Sequence, residues 1–244
     1  MHRRTLIVTA VAAEADSVAG GLTTPARPGG ELPVPGGLVL RRYANADVLV
    51  GGVGPAAVAA ATGAALTRAA LVGEPYGLVV SAGIAGGFPG RAPLGSLVVS
   101  DAIVAADLGA DTADGFVPVE ELGFGRSVHP VPAGLTGPVA AALAAAGLPH
   151  TTGTVLTVST VTGGAARAEQ LAARHPGAAA EAMEGFGVAE AAAAHGTPVL
   201  ELRAVSNAVG PRDRAAWRIG DALDALRHAV TAVESTLSEA RPCS

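Results

Sequence analysis

The feature that most constrains this chain is a regular alternation of two kinds of segment. Leu6–Ala13 (LIVTAVAA) is a continuous apolar run, the pattern of a strand buried on both faces. Asp47–Val53, Gly77–Ala82, Ser96–Val104, Thr154–Ser159 and Val199–Ser206 read the same way. Helical stretches separate them. Pro55 suits the first position of a helix running to about Leu71, and Pro138–Ala146 and Ala165–His175 are further candidates. At the end Ile219, Leu223, Leu226, Val230, Val233 and Leu237 recur at helical spacing and form one apolar stripe. Thr23–Gly37, rich in Pro and Gly, predicts an irregular surface excursion, and Ala105–Pro132 a second irregular segment. Strands alternating with helices across 244 residues predict a single α/β domain, residues 1–244, with a largely parallel or mixed sheet.

Composition removes several functions. Half the residues are hydrophobic but only 3% are aromatic, so the interior must be built from Ala, Val and Leu. A net charge of -5 gives no support to nucleic acid or an anionic membrane as partner. All 16 basic residues are Arg, and the absence of Lys excludes Schiff-base and P-loop lysine chemistry. The single Cys243 cannot form an internal disulfide, which points to a reducing compartment. Met1-His2-Arg3-Arg4 followed by Thr5–Ala13 has the outline of a signal peptide. Glu14 and Asp16 end that run too early for a membrane span, so a soluble cytoplasmic protein is expected.

Familiar motifs fail in turn. Gly52-Val53-Gly54-Pro55-Ala56-Ala57 follows a strand and opens a helix like a dinucleotide turn. The next strand ends in Val79-Val80-Ser81-Ala82 and lacks the carboxylate such a site needs for ribose. Ser81 has Val79 two positions before it, not the Gly of a nucleophile elbow. The six His residues are scattered with no helical pair to hold zinc. No cofactor and no metal are expected.

What remains is a set of polar residues and bare turns at strand ends. Met183-Glu184 opens an Ala-rich helical run that stops at Gly196, and the strand Val199–Ser206 then delivers Ser206 and Asn207 at its carboxyl end. Ligands bind at that edge of open α/β sheets. Glu14 closes the first strand. The glycine turns Gly51–Gly54 and Gly83–Gly87, Gly86 included, would let a ligand approach the backbone closely. Each residue also has a plain structural reading: Glu184 as a helix-dipole cap, Asn207 as a turn former, and Glu14 as a helix-start carboxylate, a role open equally to Asp16.

In this order the segments resemble the purine nucleoside phosphorylase and nucleosidase superfamily. The likeness runs from Glu14 through Gly51–Gly54, Ser81–Gly87 (SAGIAGG), Gly95–Asp101 (GSLVVSD) and Thr157–Gly163. It continues in Ala182-Met183-Glu184-Gly185 and Arg203–Asn207 (RAVSN). It implies a three-layer α/β sandwich around a mixed, partly barrel-like central sheet, assembled as a homodimer or larger homo-oligomer. It also implies a small-molecule nucleoside substrate. Glu184 would then bind the ribose hydroxyls, for which a two-oxygen acceptor is suited, and Glu14 would activate the nucleophile. Met183 would pack on the sugar or simply fill the core. Arg203 would orient Glu14 or serve as a structural ion-pair partner. Val161 and Thr162 would line the base pocket, mainly through backbone groups.

Three features refine that implication. Asn207 stands where adenine nucleosidases of the superfamily carry Asp. An amide cannot supply the N7 proton, but it can donate to a 6-oxo group and accept from N7–H, which favours hypoxanthine. Phosphorylases of the superfamily hold phosphate with arginines in the glycine turns. Here the turns have none, so water is the expected nucleophile, although Arg41, Arg42 and Arg91 lie near enough in sequence to keep phosphorolysis open. Trp217 falls where the superfamily covers the 5′ group and would stack on an aromatic substituent. Arg212 and Arg214 just upstream would meet a carboxylate. The expectation is a hydrolase that frees hypoxanthine from a 5′-modified inosine-type nucleoside. The alternatives are an adenine-type nucleosidase, a phosphorylase and a nucleoside binder without turnover.

Overall fold

The structure, a computed structural model, describes residues 4–23 and 26–239. His2 and Cys243 lie outside them. Its centre is a mixed sheet whose middle strands are buried on both faces, as strands covered on either side must be. β1 (Thr5–Thr9) is buried at every position and pairs in parallel with β4 (Ala46–Val50) on one side and β5 (Leu78–Gly87) on the other. β5 continues to β12 (Val199–Ala208), β12 to β6 (Leu97–Ala105), β6 to β10 (His150–Thr157) and β10 to β11 (Ala178–Ala182). β11 then returns to β5 through Ala180↔Gly87 and Glu181↔Gly86, closing five strands into a barrel. The sheet is mixed because β12–β6 and β11–β5 are antiparallel.

Two helix groups cover the sheet. α1 (Ala12–Gly21) and α3 (Ala133–Ala145) pack on α6 (Ile219–Glu239), and α2 (Pro55–Leu71) packs on α5 (Gly185–Ala194). α4 (Ala165–Arg174) contributes Leu171 to a smaller apolar cluster with Phe88 and Val209. The predicted stripe of α6 is buried at Leu226, Val230, Val233 and Leu237, but its first member, Ile219, stays 43% exposed.

Several boundaries depart from the sequence expectation, each for a physical reason. The apolar run Leu6–Ala13 is a strand only to Thr9. Its Ala-rich end begins α1, placing Glu14 in a first helical turn instead of at a strand end. Gly83–Gly87 is not a turn but the end of β5, where missing side chains make room for neighbours. Thr23–Gly37 is not irregular: β2 (Ala26–Val34) pairs with β3 (Leu38–Tyr43), and prolines are tolerated because β2 is an edge strand. Ala105–Pro132 contains β7 (Gly109–Thr112), β8 (Gly115–Pro118) and β9 (Val128–Pro130). Pro138 lies inside α3, not at its start. The AAAEA segment is strand β11, burial overriding weak β propensity, so the following helix starts at Gly185.

Candidate active site

Three elements, α1, the start of α5 and β12, bring charge to one buried point of the sheet. Glu14, in the first turn of α1, reaches back to accept the Ala10 and Val11 N–H groups through Oε2, at 2.9 and 3.3 Å. Its Oε1 accepts the Ile84 N–H of β5 at 2.9 Å. These bonds satisfy donors that a helix start leaves over, so the capping role and a fixed orientation coexist in one carboxylate. Glu14 is 4% exposed.

Glu184 precedes α5 and is also buried. Its Oε2 accepts Arg203 Nη2 at 3.1 Å and the Met183 N–H at 3.3 Å, and Oε1 lies 3.4 Å from the Gly54 N–H. Gly54 adopts φ +91°, a conformation that suits glycine, and so turns its N–H toward Glu184. The dinucleotide-like turn thus serves a protein carboxylate. Met183 is half-buried and lies outside the apolar core clusters.

Arg203 is the hub. At 1% exposure, it donates Nε to Glu201 Oε1 at 2.8 Å, Nη2 to Ser81 Oγ at 3.2 Å as well as to Glu184, and Nη1 to the Ile84 carbonyl at 3.4 Å. Burial alone would lower its pKa, yet the charges of Glu201, Glu184 and Glu14 outweigh that and raise it. Its hydrogen bonds to carboxylates among the described residues run to Glu184 and Glu201, whereas Glu14 bears on it through charge and through Ile84, which bonds to both. Gly83 makes this packing feasible, because a Cβ there would sit 2.5 Å from Glu14 Oε1 and 2.6 Å from Arg203 Nη1.

The base side is built on β12. A bulge between Val205 and Asn207 shifts the register against β5, and bulges commonly re-aim side chains beside active sites. Ser206 stays buried, donating to the Ala85 carbonyl or to Asn207 Oδ1. Half-buried Asn207 donates Nδ2 to the Ala208 carbonyl at 3.0 Å, which leaves its second amide hydrogen for another acceptor. Gly86 leaves the space beside it, since a Cβ there would lie 3.2 Å from Asn207 Nδ2. Thr162 gives both its N–H and its hydroxyl to Glu181, while Val161 is 47% exposed. What the Thr162 position offers a ligand is therefore its carbonyl and not its hydroxyl.

Trp217 follows a short 3₁₀ turn, Arg214–Ala216, and the next N–H, of Arg218, donates to the Ser206 carbonyl at 2.7 Å. That bond ties the Trp217 segment to the strand end carrying Asn207. The Arg212 guanidinium carbon lies 5.4 Å from the Trp217 ring centroid, and Arg212 and Arg214 are both exposed. A separate cavity of about 480 Å³, lined by Phe88, Ala168, His175 and Val209, contains none of the carboxylates around Arg203.

Sequence reasoning missed Glu201 and Glu181. A signal for Glu201 existed: Glu201 and Arg203 stand two apart in an otherwise apolar strand, hence on one face. Glu181 had none, since a carboxylate within an alanine run reads equally well as a solvated helix position.

The barrel-bearing sheet, with buried carboxylates gathered around one arginine at its edge, is that of a nucleoside-cleaving enzyme. The chain belongs to the Phosphorylase superfamily, whose profile matches residues 6–240. It is 63% identical to a futalosine hydrolase of Streptomyces coelicolor, over 97% of each chain. It is 51% identical to a futalosine hydrolase of Acidothermus cellulolyticus, over 96% of this chain and 91% of the relative. Among solved structures, futalosine hydrolase of Helicobacter pylori superposes with a TM-score of 0.77 at 18% identity, covering 97% of this chain and 99% of that one. A methylthioadenosine nucleosidase variant of the same organism, bound to 5′-methylthioadenosine, matches with a TM-score of 0.77 at 19% identity, covering 98% and 99%.

Proposed function

We propose that this protein hydrolyses the N-glycosidic bond of futalosine, releasing hypoxanthine and dehypoxanthinyl futalosine, as a cytoplasmic step of menaquinone biosynthesis carried out by one catalytic domain. Glu184 accepts the ribose hydroxyls, held ready by Arg203, and Met183 lies against the sugar. Glu14 takes a proton from water as its oxygen bonds to C1′. The C1′–N9 bond breaks with its electron pair moving onto the purine. The departing hypoxanthine anion takes up a proton from solvent at N7, and Glu14 returns its proton to solvent. Asn207 donates to the 6-oxo group and accepts from that N7–H, with Val161, Thr162 and Gly86 around it. Acid–base assistance of this kind is worth about 10²–10⁴-fold.

The observation that carries this reading is the pair of buried carboxylates, Glu14 and Glu184, that both bear on one buried guanidinium. The relatives named above support the substrate. Hydrolysis is favoured over phosphorolysis because the three arginines considered for phosphate, Arg41, Arg42 and Arg91, are engaged elsewhere. Arg41 pairs with Asp16, Arg42 with Asp47 and Glu74, and Arg91 with the Pro176 carbonyl. Incubating the protein with futalosine, inosine and methylthioadenosine, with and without phosphate, tests the proposal. Hypoxanthine and free sugar from futalosine alone are expected; a sugar 1-phosphate, or strict phosphate dependence, overturns it.

A second copy of the chain is the proposed occupant of the face carrying Leu108, Phe124 and Val128, which are 41%, 79% and 43% exposed. A groove of about 590 Å³ there is lined by Leu108, Phe124 and Phe186, and Phe186 lies two residues from Glu184. An exposed apolar patch, rimmed by Arg126 and Glu190 and reaching the helix that follows Glu184, suits a partner copy. Light scattering should give at least a dimer, and Phe124→Asp should shift it to monomer. A monomeric parent protein would refute this.

A further inference from the structure

We infer that Glu201 is a positioning residue for this reaction: as a neutral carboxylic acid bonded to Arg203 Nε, it fixes the guanidinium while leaving its positive charge to Glu184 and Glu14. The inference rests on the hydrolase reading above.

Three observations carry it. Glu201 is 0% exposed, deeper than either of the other two carboxyl groups around Arg203. Its Oε1 accepts Arg203 Nε at 2.8 Å, but its Oε2 has no hydrogen-bond partner among the described residues. That oxygen is pressed against Gly185, where a Cβ would approach it to 2.0 Å, so it meets C–H surface at the start of α5. A buried anionic oxygen without a donor is far more costly than a buried hydroxyl without an acceptor.

Charge counting leads to the same state. Glu14, Glu184 and Glu201 share one guanidinium, so three ionised carboxylates would leave a net charge of -2 in a closed space. The groups facing Glu201 are Arg203 on its own strand and Glu184 ahead of α5. From β5 and β6 the polar groups are the hydroxyls of Ser81, which Arg203 holds, and Ser100, which accepts the Glu201 N–H at 2.9 Å. On the other face of β12, Leu200 lies with Leu237 of α6. Burial, joined by the charge of Glu184, outweighs the pull of Arg203 and pushes the Glu201 carboxyl up to about 7. Below that pH the acid anchors Nε without competing for charge. Above it, Glu201 ionises and draws on the guanidinium that holds Glu184, so ribose binding loosens.

Glu201→Gln keeps the carbonyl acceptor for Nε but cannot ionise, whereas Glu201→Ala removes the acceptor. With futalosine as substrate, the parent protein should lose kcat/KM as pH rises through about 7, mainly through KM. Glu201→Gln should stay within about 3-fold of the parent at pH 6 and show no such loss up to pH 9. Glu201→Ala should fall about 10-fold or more, as expected when a catalytic group is displaced. An unchanged alkaline limb in Glu201→Gln, or full activity in Glu201→Ala, overturns the inference. Infrared difference spectra of the unsubstituted protein between about pH 6 and pH 8 provide a readout independent of folding variants and of substrate. A carboxylic-acid carbonyl band must be present at the lower pH and vanish at the higher. Its absence refutes the role of Glu201 even if futalosine is turned over. Its presence, without turnover, refutes only the functional reading.

Discussion

Glu14 and Arg203 are joined through one residue: Ile84 donates its N–H to Glu14 Oε1 and accepts from Arg203 Nη1 at its carbonyl. The preceding residue, Gly83, has both side chains within 3 Å of where a Cβ would stand. Gly83→Ala should therefore displace the carboxylate and the guanidinium together. An ångström-scale misplacement of reacting groups costs on the order of 10²-fold in rate. Turnover by Gly83→Ala near that of the parent, measured by hypoxanthine release, would show that the two groups have slack.

Glu14 and Glu184 differ in surroundings, and their isosteric variants should differ accordingly. Among the described residues the hydrogen bonds to Glu14 come from backbone N–H groups, so Glu14→Gln should lower kcat by about 10²-fold or more with little change in KM. Glu184 is held by Arg203, and Glu184→Gln removes a charge from that pair. Both kcat and KM should suffer. Steady-state kinetics decide the matter, and near-normal kcat in Glu14→Gln would mean that another group acts as base.

The parts of this arrangement legible in the sequence were those fixed by local chemistry. Pro55 after Gly54 marked the start of α2, and the apolar runs marked the sheet. Glu14 and Glu184 were legible as candidate site residues, and the structure sets both beside Arg203. The unread parts depend on contacts distant in sequence. Strand β11 is alanine-rich and exists because β10 and β5 flank it. Gly83–Gly87 reads as a turn, yet is strand because Glu14, Arg203 and Asn207 fill the space that its missing side chains leave. Glu201 needed the knowledge that its face of β12 points at Glu184 and not into an apolar layer.

Asn207 should decide the base. Asn207→Asp supplies an N7 proton donor and removes the donor aimed at O6, so kcat/KM should shift from hypoxanthine toward adenine nucleosides. The parent protein and variant should be compared on futalosine and methylthioadenosine. Equal losses on both would show that Asn207 only supports the bulge at Ser206.

Glu201 also makes a stability prediction. Its folded pKa of about 7 lies above the ordinary 4.5, so the folded state binds the extra proton. Its contribution to stability is then complete below about pH 4.5 and is lost as pH rises through about 7. Glu201→Gln cannot titrate. The melting temperature of the parent relative to that variant should fall between pH 5 and pH 8, and parallel curves would rule this out.

Trp217 and its two arginines should read the 5′ substituent. The Arg218–Ser206 backbone bond holds Trp217 near the strand end that carries Asn207, and Arg212 already stacks on the indole. An aromatic 5′ group would take up the same ring face, and a carboxylate on it would meet the displaced guanidinium. Trp217→Ala should raise KM for futalosine by about 10-fold or more, the value of losing one aromatic contact, while inosine changes little. Arg212→Ala and Arg214→Ala should penalise only a carboxylated substrate, with a loss that shrinks as salt is raised. If instead all nucleosides lose affinity equally, the segment before α6 serves the fold, and the 5′ group is held elsewhere.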